Sequence, residues 1–219
     1  MDAADLDPAV YARVLSDLAS VNRLTMAARP TIGFVKRAIG DRRAFSLLDV
    51  GFGDGDMLRA IARWAEKRQI AATLIGVDLN PHSAPVARDA TPDRFGIDYR
   101  TGDYRDHLDP APDLIVSSLV THHMSVDQRT AFLRDMHRQA QIGWHVNDLH
   151  RHPFPYLGFP LLARLMGWHR IVREDGQLSI ARSFQPDEWH ADIATAGIDP
   201  TAIRVARRFP FRLCVEHIR

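Results

Sequence analysis

Cysteine is nearly missing from this chain of 219 residues, which has one thiol, Cys214. A single thiol excludes an internal disulfide and a cysteine-based zinc site, and it suits a reducing compartment. The first five residues are acidic and lack the apolar core of a secretory signal. We therefore expect a cytoplasmic protein.

A long block of charge of one sign is also missing, since 28 basic and 27 acidic side chains leave a net charge of +1. The charge therefore gives no support to a nucleic-acid partner or to an anionic membrane. The most apolar stretch, 154–168, is short and is interrupted by Pro155, Pro160 and Arg164. It is too short to span a bilayer. We expect neither nucleic acid nor a membrane among the partners.

The chain does contain enough apolar residues for a core, 46% of the total, and its length suits a single domain over residues 1–219. Two helical patterns, 8–19 and 23–39, precede the first strand and predict a helical cap over residues 1–43. Strand and helix patterns then alternate over 44–219. This alternation predicts an α/β fold, in which a mainly parallel sheet has helices on both faces.

The apolar patterns give bounds for each element. The predicted strands are 45–50, 72–77, 97–100, 114–119, 144–147, 202–207 and 212–217. The predicted helices of this part are 56–67, 81–89, 127–140, 154–167 and 186–196. The last two strands form a hairpin, which would add one antiparallel strand to the sheet. Residues 148–201 are too long for a simple crossover and predict a cover over a substrate.

The most informative stretch is 47–56, where an apolar strand ends in Gly51, Gly53 and Gly55 and an amphipathic helix follows. Glycine permits a positive φ and the close approach of a ligand to the backbone. The amide groups at the start of the helix point to the same place. Asp78 ends the second strand, where an acid accepts hydrogen bonds from the hydroxyls of a ribose.

A third acid, Asp103, follows the third strand within 101–104, Thr-Gly-Asp-Tyr, and the fourth strand reads Asp-Leu-Ile-Val-Ser-Ser over 113–118. In this order the residues resemble the class I S-adenosylmethionine-dependent methyltransferases. The first motif of that family, acid-x-Gly-x-Gly-x-Gly, matches residues 49–55. A nicotinamide dehydrogenase would have Gly-x-Gly-x-x-Gly, and here the third glycine comes one residue early, at Gly55.

The resemblance implies a Rossmann-like, doubly wound sheet of seven strands with S-adenosylmethionine as cofactor. It places the methionine part of the cofactor over the glycines, with Asp49 near the ammonium group, and the adenine between Leu79 and Tyr104. An N-terminal helix often closes over the cofactor, where Arg23 and Arg29 are the polar candidates. The residues expected to bind the cofactor are Asp49, Gly51, Gly53, Gly55, Asp78, Leu79, Asp103, Tyr104 and Ser118.

Histidines cluster after the fourth strand and around the fifth. The carboxyl ends of neighbouring parallel strands meet at one edge of a sheet, where open α/β folds bind their ligands. We therefore predict that His122, His123, Asp148 and His150 are catalytic. An imidazole that titrates near neutral pH can deprotonate a phenol, and a carboxylate can orient it. Which histidine is the base stays open, as does a purely structural role for any one of them.

A metal site is an alternative use of the same side chains, and imidazoles would suit zinc or iron better than magnesium. We predict no metal, because histidines stand at the end of the fourth strand where the metal-dependent catechol-type enzymes have carboxylates. The apolar and aromatic stretch 154–168 suits a hydrophobic, aromatic small molecule as acceptor. The sequence after the fourth strand lacks the Asn/Asp-Pro-Pro-Tyr tetrad of nucleic-acid methyltransferases.

These features predict O-methylation of a small phenolic or polyketide-like acceptor, of the kind found in secondary metabolism. The chain also loosely resembles methyltransferases of quinone biosynthesis and of bacterial natural products. C-methylation of an aromatic ring or a quinol is the alternative reaction. A cofactor-binding scaffold without activity is a further alternative, and a homodimer is an open possibility.

Overall fold

The computed structural model describes residues 7–219, so the acidic residues 1–5 lie outside the described part. It contains seven strands, β1 Ala44–Val50, β2 Ala71–Asp78, β3 Asp98–Thr101, β4 Leu114–Ser118, β5 Gly143–Leu149, β6 Arg204–Arg208 and β7 Arg212–Ile218. They form one sheet of order β3-β2-β1-β4-β5-β7-β6. β7 runs antiparallel to both of its neighbours, and the other pairs are parallel. The predicted α/β sheet with its hairpin is confirmed.

The helices are α1 Pro8–Leu24, α2 Ala28–Ile39, α3 Asp56–Glu66, α4 Ser83–Asp89, α5 Val126–Gln139, α6 Pro153–Leu165, α7 Arg170–Arg182 and α8 Pro186–Thr195. One face of the sheet packs on α2, α3 and α4, and the other packs on α5 and α8. The central strands are apolar along most of their length because both faces are covered. Phe132, Leu133 and Met136 of α5 are buried.

The predicted N-terminal cap divides into two parts that pack differently. Helix α2 belongs to the sheet layer, since Phe34 and Ile39 pack in the core with α3. Helix α1 instead packs through Val14 against the α6–α7 segment. The chain turns between the two helices at Met26, which has a φ of 51°. The break comes at this turn, so α1 is longer and α2 shorter than the sequence predicts.

The stretch 148–201 also divides. Strand β5 continues to Leu149, so Asp148 is a strand residue rather than a loop residue. Helix α8 packs with α5 in the core of the sheet through Trp189 and Ile193. Only the pair α6–α7 packs on α1, through Ala163, Trp168 and Val172 among others. Helix α7 is a finding of the structure, since no element is predicted over its residues. The cover over the carboxyl ends of the strands is therefore shorter than the predicted 148–201 and consists of about residues 153–182.

Candidate active site

The glycine loop joins β1 to α3 and forms the base of the site. Gly51 and Gly55 both have a φ of 78°, which side chains rarely adopt. A Cβ atom would also overlap the side chain of Val120 at Gly51 and that of Tyr99 at Gly55. Backbone conformation and packing therefore both require glycine here, and the backbone of this loop stays open to a ligand.

Asp49 lies at the end of β1 with only 1% of its surface exposed. Both of its carboxylate oxygens are buried without a hydrogen-bond partner in the described part of the chain. Burial, followed by the charges of Asp56 and Asp78, raises the pKa of Asp49 to about 8. A buried acid without a partner beside a cavity is a fitting site for a ligand cation. The residues present thus fit the ammonium group of S-adenosylmethionine.

Asp78 at the end of β2 holds the glycine loop in place. Its carboxylate accepts hydrogen bonds from the backbone N–H of Gly53 at 3.0 Å and of Asn80 at 2.9 Å. Burial raises its pKa. The adjoining Leu79 is 78% exposed. Asp78 and Leu79 thus lie beside the loop, and their contacts with a ribose and an adenine remain predictions.

The two residues predicted at the adenine edge have structural contacts of their own. Asp103 caps a short 3-10 helix and pairs with Arg105. The hydroxyl of Tyr104 donates to Asp135 at 2.8 Å, and its ring packs on Phe132 with ring centres 5.1 Å apart. Neither residue lines the cavity that opens at the carboxyl ends of β1, β4 and β5. Their roles at the adenine also remain predictions.

A cavity of about 240 Å³ opens at the carboxyl ends of β1, β4 and β5. Its floor is Asp49 with the glycine loop, and Ser118 and the histidines form one wall. Helices α1, α6 and α7 and the turn between β6 and β7 cover it. The lining is mostly apolar on the cover side, where Phe159 and Phe211 contribute aromatic rings. The structure thus brings the predicted donor end and the predicted catalytic residues to one cavity.

His122 and Asp148 form a buried pair at the wall of this cavity. The imidazole Nδ1 lies 2.7 Å from the Asp148 carboxylate. That carboxylate also accepts hydrogen bonds from the Thr121 hydroxyl, from the backbone N–H of His122 at 3.1 Å and from that of Leu149 at 2.7 Å. The carboxylate is therefore fixed from several directions, and it fixes the ring in turn.

Charge within the pair overcomes the effect of burial. Burial alone would raise the pKa of Asp148, but His122 and the hydrogen bonds to Thr121 and Leu149 lower it to about 2. Burial alone would lower the pKa of His122, but the charge and hydrogen bond of Asp148 raise it above its ordinary value. Asp148 is thus ionised at neutral pH, and His122 is a stronger base than a free imidazole.

The other two predicted catalytic histidines also line the cavity. His123 is exposed, and its ring centre lies 4.2 Å from that of His122. His150 is buried, with Nε2 3.3 Å from the side-chain oxygen of Gln185. Burial lowers the pKa of His150, which keeps this imidazole neutral. The Asp148 carboxylate of β5 holds the ring of His122.

Arg212 is a cavity residue that the sequence interpretation missed. It begins β7, lies opposite Leu149 of β5 and is 2% exposed. One guanidinium nitrogen donates to the Thr25 hydroxyl at 3.2 Å, and another is buried without a partner in the described chain. Burial lowers the pKa of Arg212, and the negative charge of Asp148 offsets only part of this effect. In the sequence it is one arginine among several in a predicted hairpin, so only the pairing of β7 with β5 reveals it.

Helix α1 and the residue that caps its C-terminus, Thr25, provide polar groups to the cavity, although the two predicted arginines do not. Arg23 and Arg29 are exposed and do not line it. Asn22 and Thr25 line it instead, and the Asn22 amide donates to Asp56 at 3.0 Å. This bond ties α1 to the first residue of α3, beside the glycine loop.

His145 and Asn147, both on β5, have structural contacts. His145 is fully buried and stacks on Phe34 with ring centres 4.9 Å apart. Asn147 donates to the Ala27 carbonyl at 2.8 Å and to the Thr31 hydroxyl at 3.1 Å. Both residues fasten α2 to the sheet. Within residues 7–219, no three His, Cys, Asp or Glu side chains come together as a metal-ligand set.

Comparison with known families decides what this fold and cavity belong to. The methyltransferase domain family matches residues 47–159, which is more than half of the chain. The chain belongs to this family. With its sheet order and glycine loop, it is a class I S-adenosylmethionine-dependent methyltransferase. No curated protein sequence matches this methyltransferase.

Solved structures share the fold of this methyltransferase at low sequence identity. Human N-acetylserotonin methyltransferase in complex with S-adenosylmethionine superposes with a TM-score of 0.67 at 12% identity, covering 97% of this chain and 56% of that enzyme. This chain thus spans little more than half of that enzyme. A methyltransferase from Aquifex aeolicus gives 0.63 at 15% identity and covers 98% and 99% of the two chains. The plantazolicin methyltransferase BamL gives 0.62 at 14% identity, covering 88% and 70%.

In the part of the chain from residue 7 onward, no helix is both long and apolar enough to cross a bilayer.

Proposed function

We propose that this methyltransferase transfers the methyl group of S-adenosylmethionine to a hydroxyl of a small aromatic acceptor, with His122 as general base. The observation that carries the proposal is one cavity whose floor is Asp49 and whose wall is the His122–Asp148 pair. The floor suits the methionine end of the donor. The wall suits removal of a proton from the group that receives the methyl.

The protein has to supply alignment and a base. When bound, the cofactor supplies a methyl group already activated on a sulfonium. The acceptor oxygen forms a bond to that methyl as the bond from methyl to sulfur breaks, and S-adenosylhomocysteine leaves. His122 takes the hydroxyl proton and returns it to solvent after the product has left. No other reactant is needed for the balance.

Asp148 acts as a positioning residue behind His122. Its carboxylate accepts from Nδ1 at 2.7 Å, which fixes the tautomer with the proton on Nδ1 and leaves Nε2 as the basic nitrogen. Because Asp148 stays ionised, it also stabilises the imidazolium that forms when the proton arrives.

The nature of the acceptor follows from the cover of the cavity. Helix α6 and the turn between β6 and β7 present mainly apolar groups, including the rings of Phe159 and Phe211, whereas α7 adds Ile180 together with Asp175 and Ser179. Such a lining favours an aromatic molecule with few polar groups. The similar enzymes named for N-acetylserotonin and plantazolicin support a small acceptor. C-methylation beside a ring hydroxyl is the second candidate, because the same base would act on that hydroxyl.

Transfer of a tritiated methyl group from S-adenosylmethionine to a panel of substituted phenols tests this proposal. The variant His122→Gln should lower turnover by about 10²–10⁴-fold, the usual contribution of a general base. His190→Gln, an exposed histidine on α8, is the matched control and should keep wild-type turnover. Calorimetry with S-adenosylhomocysteine should show equal affinity in both variants.

Two results would contradict the proposal. Equal turnover in His122→Gln and the wild type would remove His122 from catalysis. Nuclear magnetic resonance of the product distinguishes a methoxy group from a ring methyl, and a ring methyl would establish the second candidate instead.

A further inference from the structure

Helix α6 has an exposed apolar face, which we call the α6 stripe. It consists of Phe154, Leu157, Leu161 and Leu165, whose exposed fractions lie between 63% and 77%. Their spacing of three and four residues puts them on one face of the helix. Other α6 residues, Phe159, Leu162 and Ala163, form the inner contacts with α1. The stripe is therefore apolar surface in addition to the core.

The stripe continues towards the mouth of the cavity. The Phe154 ring stacks on that of Phe211, with ring centres 5.6 Å apart and planes inclined by 24°. Phe211 lines the cavity, and its neighbour Phe209 is 80% exposed on the same turn. Apolar surface thus runs from open solvent to the catalytic cavity. A soluble protein rarely exposes so continuous an apolar patch without a partner.

Positive charge borders the stripe. The α6–α7 segment, residues 153–182, has four arginines and two acids, although the whole chain carries only +1. Arg164 is exposed on α6, and it lines a groove between α6 and α7 together with Arg170 and Arg173. Arg170 pairs with Glu174 at 2.7 Å. Positive and negative charges nearly balance over the whole chain, but positive charge is in excess beside the α6 stripe.

We propose that the α6 stripe docks on an anionic lipid surface. An amphipathic helix with arginines beside its apolar face lies in the interface of a bilayer, with the apolar side chains among the acyl chains and the guanidinium groups at the phosphates. A second copy of this chain fits less well. A two-fold interface uses the same patch of both copies, so it would bring the two net positive α6–α7 segments together.

Docking in this way turns the cavity mouth towards the lipid. Phe154 and Phe211 form a continuous apolar path from the stripe to the cavity, so an apolar acceptor can enter without crossing water. This consequence rests on the proposed function, whereas docking itself does not. Binding to vesicles and methyl transfer can therefore succeed or fail separately.

Flotation of the full chain with lipid vesicles tests the proposal. The wild type should float with anionic vesicles that mix phosphatidylcholine with phosphatidylglycerol and much less with neutral vesicles of phosphatidylcholine alone, and high salt should release it. Leu157→Glu/Leu161→Glu should weaken this binding at least about tenfold, since it places two charges in the apolar interface. Val126→Glu is the matched control, because Val126 is 54% exposed at the start of α5, and it should bind like the wild type.

Calorimetry with S-adenosylhomocysteine shows whether each variant has kept its fold. The proposal is overturned if the wild type stays off both kinds of vesicle, if it binds neutral and anionic vesicles equally, or if the double variant binds as well as the control. Light scattering tests the other possible occupant of the α6 stripe, a second copy of the chain. A wild-type dimer that becomes a monomer in the double variant, without vesicle binding, would make the stripe an interface between copies. If the wild type floats but transfers no methyl group, docking stands and the proposed function fails.

Discussion

The carboxyl of Asp49 should release a proton when the cofactor binds. In the free protein its pKa is about 8, raised by burial and then by Asp56 and Asp78. The carboxyl is therefore about nine-tenths protonated at pH 7. Its proposed partner is the ammonium group of S-adenosylmethionine or of S-adenosylhomocysteine. The arrival of that positive charge favours the ionised carboxylate, so the proton must leave.

The free-energy cost of ionising Asp49 in the free site follows from the shift of its pKa. Each pKa unit corresponds to 1.36 kcal/mol, so the rise from 3.8 to about 8 makes the ionised carboxyl cost about 6 kcal/mol in the free site. The ammonium has to offset that cost. Binding at pH 7 should release about 0.8–0.9 proton per cofactor, and affinity should strengthen by up to about tenfold per pH unit between roughly pH 5 and 7.

Calorimetry with S-adenosylhomocysteine in buffers of different ionisation enthalpy measures this release. The observed heat varies linearly with that enthalpy, and the slope gives the number of protons. Asp49→Asn should bring the slope close to zero and weaken binding by about 1–3 kcal/mol. Asp199→Asn is the control, because hydrogen bonds from Thr201 lower the pKa of this exposed acid and it is already ionised. A wild-type slope near zero, or one that Asp49→Asn leaves unchanged, would refute the assigned partner.

Two further predictions concern stability. Gly55→Ala should lower the free energy of unfolding by about 2–4 kcal/mol in urea, because its Cβ would meet Tyr99 at a positive φ. Gly96→Ala is the control, because Gly96 has the same left-handed conformation with open space around it, and it should cost only about 1 kcal/mol. Equal losses would contradict the packing argument. Glu216→Gln should destabilise by about 1–3 kcal/mol, since this buried carboxylate accepts two bonds from Arg37 at 2.7 and 2.8 Å. Burial raises the pKa of Glu216, but His145 and Arg37 lower it by more, so the pKa lies below its ordinary value. The wild type should therefore lose this stabilisation as the pH falls through the lowered pKa. An acid unfolding transition that is the same in Glu216→Gln and the wild type would disprove this.

The sheet was predictable because its signals are local. Apolar runs end in turns, and each strand of the core was found within a few residues of its bounds. The glycine loop was equally clear, since Gly51 and Gly55 need both their φ and their missing Cβ. Helix α7 was missed because its sequence mixes charges, Gly176 and short apolar groups without a clear helical stripe. The packing of Gly176 against the Phe159 ring explains the glycine, and this contact appears only in three dimensions.

The catalytic pair was predictable in part. Strand order brings the ends of β4 and β5 together, so the sequence placed His122, His123, Asp148 and His150 at one edge. It did not reveal which histidine pairs with the acid, because His122 and His123 are adjacent and only the backbone decides which of them turns inward. Arg212 was missed for a related reason, since its burial depends on pairing between strands far apart in the chain.

The pH dependence of kcat/KM for the phenol that accepts the methyl group tests the role of His122 most directly. It is measured at saturating S-adenosylmethionine, so that the proposed ionisation of Asp49 on cofactor binding does not contribute. The account predicts that kcat/KM of the wild type falls tenfold per pH unit below an apparent pKa that lies above the ordinary 6.5 of an imidazole, because the protonated ring cannot act as base. Asp148→Asn should move this limb to lower pH and reduce the plateau by about 10²–10⁴-fold. His122→Gln should abolish the limb. The same acid limb in His122→Gln as in the wild type would contradict the account.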